Sequence, residues 1–171
     1  MTNPQAFIDP IGLQSCVRED PTWGGRVNYG SINSLGRRPG ITATLEPDMM
    51  GIKKGTRANG DIPMPGWQGS WPTGTDARGH LLGRQLGGSG DEPANLVAMY
   101  QCRANSPVMS GFEGQVRKAV EGNPAQGIAG QTVKYKVTPL YDGSQVRPRA
   151  ITMEANGSGG FHLNVTILNR Q

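Results

Sequence analysis

The chain has 171 residues, with 26 glycines, 13 prolines, 35% hydrophobic and only 6% aromatic residues, which fits one turn-rich domain that buries a core without metal or disulfide staples and argues against a helical bundle. Lys+Arg 17 against Asp+Glu 13 gives a formal charge of +4 and a pI near 9.3, a balance that suits a polyanionic partner without demanding one. No run of five like charges forms a basic tail, no apolar stretch is long enough to span a membrane, and the start lacks the charged-then-apolar pattern of a signal peptide, so a soluble protein is expected.

In chain order, MTNPQAFIDPIGLQS predicts an extended, turn-prone leader, because Pro4, Pro10 and Gly12 disfavour a helix. Residues 14 to 70 read as loop-rich, with strand candidates RVNYGSI (26–32) and ITATLE (41–46), the latter placing Ile41, Ala43 and Leu45 on one face. IPMPGWQGSWP (62–72) is a rigid Pro/Gly/Trp segment expected to lie over a surface through Trp67 and Trp71. A helix is predicted over about 106–121: Val108, Phe112, Val116 and Val120 recur every four residues, Ser106 precedes Pro107 as an N-cap, and Gly122-Asn123-Pro124 ends it. Three strand candidates follow, VKYKVTPLY (133–141), PRAITMEA (148–155) and GFHLNVTIL (160–168). Strands, loop, helix and strands in that order predict an α+β domain with a largely antiparallel sheet. Cys16 and Cys102 have no metal-ligand spacing; one disulfide or two inert thiols both fit, and the thiols are favoured.

The stretch TDARGHLLGRQLGGSGDEPANLVAMYQCRANSP (75–107) carries the chemistry. It holds His80, one of two histidines, with Arg78 two residues earlier and two asparagines, Asn95 and Asn105, downstream. Cleaving a phosphodiester requires a base for water, a stabiliser for phosphorane-like charge and a Lewis acid at the departing oxygen. An imidazole titrates near neutrality and supplies the base. Arg78, on the same side of an extended strand, can fork onto phosphate oxygens, and Gly79 leaves room for a substrate backbone. A neutral Asn oxygen suits a hard cation such as Mg²⁺, which keeps most of its waters and stays a strong Lewis acid. Each piece also has a structural reading: a satisfied histidine, a solvated arginine, turn asparagines. His162 reads better as an exposed sheet residue than as a phosphate ligand, and Trp23, Trp67 and Trp71 better as packing residues than as base-stacking platforms.

The run DARGHLLGRQLGGSGDEPANLVAMYQCRANSPVMSGFEGQVRKAV resembles the DNA/RNA non-specific endonuclease family. The similarity extends from about Gly36 to the C-terminus through GRRPGITATLEPDMMG, PMPGWQGSWP, VKYKVTPLYDG and GSGGFHLNVTILN. The resemblance implies a ββα-metal (His-Me finger) fold, a metal-dependent endonuclease activity on DNA with RNA also in range, Mg²⁺ as cofactor with Mn²⁺ as another option, and products with 5′-phosphate and 3′-hydroxyl ends. It assigns His80 as general base, Arg78 as phosphate contact and Asn105 as metal ligand. Asn95 becomes a supporting residue. Glu113 takes a role through metal-bound water, since it lies about 12 Å beyond Asn105 on a continuous helix. Arg117 would pair with Glu113 or reach phosphate. In the family Asp directly precedes Arg; here Ala77 separates Asp76 from Arg78, which leaves Asp76 structural.

The leader resembles a second pattern. NPQAFIDPIGL matches Pro-x₄-Asp-Pro-x-Gly-Leu, the motif that closes the core of Rhs-repeat proteins, through Pro4, Asp9, Pro10, Gly12 and Leu13. This implies residues 1–13 as a core remnant, self-cleavage between Leu13 and Gln14 with Asp9 in the motif, and residues 14–171 as a nuclease toxin of a polymorphic toxin. It further implies an Rhs shell and a cognate immunity protein as partners, delivery by a secretion system within a larger protein, and interbacterial competition in the target-cell cytoplasm. Two alternatives stay open: a catalytically silent nucleic-acid-binding or interaction module on the same fold, and a free-standing secreted nuclease for nutrition or DNA uptake.

Overall fold

The computed structural model describes residues 18–70 and 74–171. The leader motif, Cys16 and Trp71 lie outside these residues. β1 (Arg18–Glu19), β2 (Val27–Tyr29), β3 (Ile41–Leu45), β6 (Val133–Leu140), β7 (Ala150–Gly157) and β8 (His162–Leu168) form a six-stranded sheet in the order β1-β2-β3-β6-β7-β8, every neighbouring pair antiparallel. After β3 the chain leaves this sheet and builds a separate antiparallel hairpin, β4 (Asp76–His80) with β5 (Leu96–Tyr100). A wide π-type stretch, Gln101–Met109, and α1 (Ser110–Glu121) follow before β6 returns beside β3. The predicted α+β class, antiparallel sheet and single main helix are all present.

Alternation explains the sheet. Ile41, Ala43 and Leu45 are buried while Thr42 is exposed, and β6 alternates in the same way. On β8 Leu163 and Ile167 face inward while His162, Asn164 and Thr166 face solvent, so His162 stands on the exposed side as expected. Its Nδ1 lies 2.8 Å from Asn156 Oδ1. The helix covers the inner face of the sheet with Met109, Val116 and Val120, all buried, and with Val108, Phe112 and Ala119 packed at the edges. Each fully buried valine contributes about 1.5–3 kcal/mol. One member of the inward stripe is not apolar: positions 109, 113, 116 and 120 share a face, and position 113 is a buried glutamate.

Three details differ from the expected boundaries. Helical structure also precedes the expected start, in the stretch from Gln101, while Ser106 is extended (φ −136°, ψ 131°) as an N-cap ahead of Pro107 is. β7 starts at Ala150 rather than 148, where Pro148 has no N–H for the ladder. β5 was not among the predicted strands, whereas β4 is the extended segment expected to carry Arg78 and His80.

The hairpin has two faces. Val97 and Met99 join the main core. Leu96 and Ala98 pack with Ile62, Met64 and Trp67 in a second small cluster, so the 62–67 segment does lie over a surface through Trp67. Trp23 is also a packing residue, donating its Nε1–H to Gly87 O at 2.9 Å. Gly79 faces Met99, where a Cβ would overlap the thioether; the space expected for a substrate is filled by the core. Cys102 is an exposed free thiol. Among the described residues no helix is long and apolar enough to cross a membrane.

Asp76 anchors the far end of the hairpin. It is buried and receives both Arg147 Nη2 (2.7 Å to Oδ1) and Arg147 Nη1 (3.1 Å to Oδ2), plus the Gln68 N–H at 2.7 Å. The Arg147 guanidinium stacks 3.8 Å from the Tyr100 ring centroid. Removing one partner of such a pair strands the other charge. Asp76→Ala is therefore expected to lower unfolding free energy by about 3–5 kcal/mol, read as a reduced urea midpoint with an unchanged m-value; a midpoint equal to that of the parent would refute a structural role for this carboxylate.

Candidate active site

Register puts Arg78 opposite Ala98 and His80 opposite Leu96, so both side chains share the hairpin face turned toward residues 56–67. Along this edge two loops are stitched together. Thr56 donates its N–H to Gly88 O (3.1 Å), Asn59 donates to Gly90 O (2.9 Å), and Gly90 donates to Thr56 Oγ1 (2.7 Å). The stitching delivers the Thr56 carbonyl to His80, whose Nε2 lies 3.0 Å from it. A carbonyl only accepts, so Nε2 carries the proton and Nδ1 is left with a free lone pair. His80 is half-buried, and burial pushes its pKa below the ordinary histidine value; the Thr56 bond opposes this and the Arg84 charge adds to it. The ring is thereby held neutral, oriented and basic at Nδ1.

Asn95 is fully buried and fixes the turn that follows His80. Its Oδ1 accepts the Leu82 N–H at 2.7 Å, while Nδ2 donates to Leu82 O (3.0 Å) and Ser89 O (2.8 Å); its backbone carbonyl accepts the Leu81 N–H at 2.8 Å. The carboxamide thus does the work of a short piece of sheet between two loop arms.

The helical segment turns back across the hairpin, so that the Glu113 carboxylate meets Gly83, three residues past His80. Only glycine fits there, because a Cβ on Gly83 would overlap the carboxylate. Gln85 ties this junction together, its Nε2 donating to Ser110 O (3.1 Å) and to Glu113 Oε2 (3.3 Å). Burial pushes the Glu113 carboxyl up to about 7, against the stabilising bonds from Gln85 and the Gly83 N–H. Nearby Tyr135 is buried with its hydroxyl unpaired, and burial followed by the Glu113 charge pushes its pKa well up. Asn105 is half-buried on the same segment, and its Nδ2 donates to Gln101 Oε1 at 2.8 Å. That bond turns the amide nitrogen toward Gln101 and leaves Oδ1 for another partner.

Two arginines are spent elsewhere. Arg78 donates Nη1 to Ile62 O and Nη2 to Gly60 O (2.6 Å) and lies 4.8 Å from the Trp67 ring centroid. Arg117 pairs with Glu121 at 2.9 Å rather than with Glu113. Sequence reasoning missed Thr56, Arg84, Gln85 and Gln101. Thr56 acts through its backbone and gave no signal. Arg84 and Gln85 lie four and five residues past His80 in the same turn, which was a usable cue.

The residues present fit a hydrated hard cation. The available ligand atoms are oxygens, Asn105 Oδ1 and the Glu113 carboxylate, as a hard cation prefers. No group of three or more His, Cys, Asp or Glu gathers among the described residues, as a thiolate or imidazole metal centre would need.

A hairpin bearing a basic histidine, followed by a helical segment bearing an asparagine oxygen, defines a nuclease of the ββα-metal class. The family model described as DNA/RNA non-specific endonuclease matches residues 17–159. The chain belongs to that family and is an endonuclease that hydrolyses phosphodiester bonds. Its fold resembles NucA from Streptococcus agalactiae with magnesium bound (TM-score 0.68, 24% identity, 85% of this chain and 70% of that one). Sda1 nuclease with bound zinc is also similar (TM-score 0.69, 20% identity, 85% and 76%), as is an extracellular nuclease (TM-score 0.59, 25% identity, 85% and 84%). No curated protein matches the chain.

The raised Glu113 has a consequence for metal-free protein. Between pH 4.5 and about 7 the folded state holds a proton that the unfolded carboxyl has released, so stability falls as pH rises through this window. Glu113→Gln is expected to remove that slope and raise the Tm in EDTA at pH 7.5. The lowered pKa of His80 contributes the opposite slope, so the comparison decides: a Tm–pH slope from pH 5 to 7.5 that is the same in Glu113→Gln as in the parent would contradict the buried, protonated carboxyl.

Proposed function

We propose that this chain is a Mg²⁺-dependent, sequence-non-specific endonuclease of DNA, with RNA as a second substrate, in which His80 is the general base. The observation that carries the reading is the His80–Thr56 bond, which leaves Nδ1 as a lone-pair acceptor at the edge of the hairpin. His80 Nδ1 takes the proton from a water aligned with the phosphorus, and the Thr56 carbonyl stabilises the resulting imidazolium through Nε2–H. Asn105 Oδ1 is the ligand that would hold the divalent ion, oriented by Gln101, with Glu113 acting through water. Bound there, Mg²⁺ supplies Lewis acidity to the phosphorane charge and to the departing 3′ oxygen. Asn95 supports the base by fixing the turn behind it. Arg78 and Arg117 hold the loop and helix in this arrangement.

Nucleic acid is the substrate that the family and the basic charge support. For biological context, the Pro4–Leu13 motif supports release after Leu13 from an Rhs-type parent, with residues 14–171 as the toxin, delivery into a competitor's cytoplasm and an immunity protein to protect the producer. A free-standing secreted nuclease is the second reading, favoured by two extracellular nucleases among the similar structures.

His80→Ala is expected to lower plasmid cleavage by roughly 10²–10⁴-fold with an unchanged Tm, and EDTA to abolish cleavage. Because His80 must be neutral to act and its pKa is lowered, the acid limb of kcat/KM should fall below the ordinary histidine value of 6.5. Parent-like cleavage by His80→Ala, or full activity in EDTA, would overturn the assignment.

A further inference from the structure

The motif arginine, Arg78, has its guanidinium committed to two backbone carbonyls and a tryptophan face. Most other arginines with described side chains are similarly engaged. Arg26 is held by Glu46 and Asp48, Arg147 by Asp76, Arg149 by Asp142, Arg117 by Glu121, and Arg37 and Arg38 by main-chain carbonyls. Arg84 has no salt bridge among the described residues, and its Nε is buried with no hydrogen-bond partner; Arg147 shares the buried Nε, but its terminal nitrogens are held by Asp76. A buried donor left unmet is destabilising.

The root of this side chain is fixed. Arg84 opens a tight turn, Arg84–Leu86; its carbonyl accepts the Gly87 N–H at 3.2 Å, and the next carbonyl, of Gln85, accepts the Gly51 N–H at 2.9 Å. Gly55 lies against the Arg84 backbone so closely that a Cβ on Gly55 would overlap it. The next residue, Thr56, is the one whose carbonyl holds His80. One dipeptide, Gly55–Thr56, therefore touches both the Arg84 backbone and the His80 ring, and Arg84 is the cation whose charge acts on His80.

We infer that Arg84 is a catalytic residue of this nuclease, its free guanidinium binding the nonbridging oxygens of the scissile phosphate beside His80, in the role that the motif pattern assigns to Arg78. This rests on the nuclease reading with His80 as base. The terminal amines, extending beyond the buried Nε–H, are the donors that a phosphate anion would meet. An anion is what such a donor lacks, since no salt bridge joins a carboxylate to His80 or Arg84 among the described residues. The same cation next to the imidazole discourages its protonation, so one side chain serves both the electrophile and the base.

The test uses the full chain with Mg²⁺ and two substrates, plasmid DNA and bis(p-nitrophenyl) phosphate. Arg84→Gln is expected to lower kcat/KM on both by about 10²–10³-fold, the scale for removing one charge-stabilising donor, with Arg84→Lys recovering part of the loss. The exposed Lys118→Gln, which removes the same charge from the outer surface of α1, should cost less than threefold and gives the general electrostatic contribution. In Arg84→Gln the acid limb of the residual activity should move up toward the ordinary histidine value, a change that a merely structural role would not produce. If Arg84→Gln loses Tm, Arg84→Lys decides, since it keeps the stem and the charge: near-parent rates together with a parent-like acid limb in Lys would assign the loss in Gln to folding and overturn the proposal. Parent-like rates in folded Arg84→Gln, with His80→Ala inactive, would overturn Arg84 alone; parent-like rates in His80→Ala would overturn the reading beneath it.

Discussion

The site depends on one buried carboxamide. Asn95 makes three side-chain hydrogen bonds to main-chain groups of Leu82 and Ser89, and no other side chain could satisfy a donor and two acceptors at that point without leaving a buried group unpaired. The connection between β4 and β5 is rich in glycine and has almost no regular structure, so its shape must come from such cross-links. With its two arms locked, the turn at 83–88 presents Gly83 to Glu113, Gln85 to the helix and Arg84 toward the His80 side. The Gly88 carbonyl then receives Thr56, whose own carbonyl sets the imidazole. A residue with no chemical step of its own thus fixes the positions of those that have one.

The electrostatics follow the same economy. Burial biases the two acid–base groups toward their neutral forms, lowering the pKa of His80 and raising that of Glu113 to about 7. Charge on either would be poorly solvated, since the space between hairpin and helix is narrow enough for glycine alone at 83. A neutral carboxyl on an otherwise apolar helix stripe is tolerable for folding, whereas a free carboxylate there would not be. The price in stability at neutral pH is consistent with a residue kept for function rather than for packing.

Much of this was legible in the amino-acid order because it rests on periodicity. The alternation of β3, β6 and β8 and the four-residue recurrence from Val108 to Val120 identify the sheet and the helix. The Arg-Gly-His run and the two asparagines mark the site, and their spacing agrees with the ββα order. Less visible was everything that acts through the main chain. Thr56 contributes a carbonyl that every residue has, and its sequence neighbours give no hint that it will meet His80. Glu113 was visible in principle, since 109, 113, 116 and 120 lie on one face; the more regular 108-112-116-120 repeat conceals that position.

Arginine assignment shows why a motif cannot allocate charge by itself. Residue identity and spacing place Arg78 two positions before His80, on its side of a strand, and both statements hold. Whether a guanidinium is available is decided by acceptors far along the chain: here the carbonyls at 60 and 62 and the Trp67 ring occupy it. Those acceptors sit in a Pro/Gly-rich loop that lacks regular secondary structure and so must find donors outside itself. A half-buried arginine with five N–H donors is well suited to supply them. Once both terminal nitrogens of Arg78 are committed to the loop, its guanidinium is held in place and is less available to fork onto a phosphate. The same logic explains the buried Arg38, whose donors reach the carbonyls of Gly36, Pro63 and Pro93 and whose pKa burial depresses: in this fold arginine is first a cross-linker of irregular backbone, and only an arginine without that duty is free for chemistry.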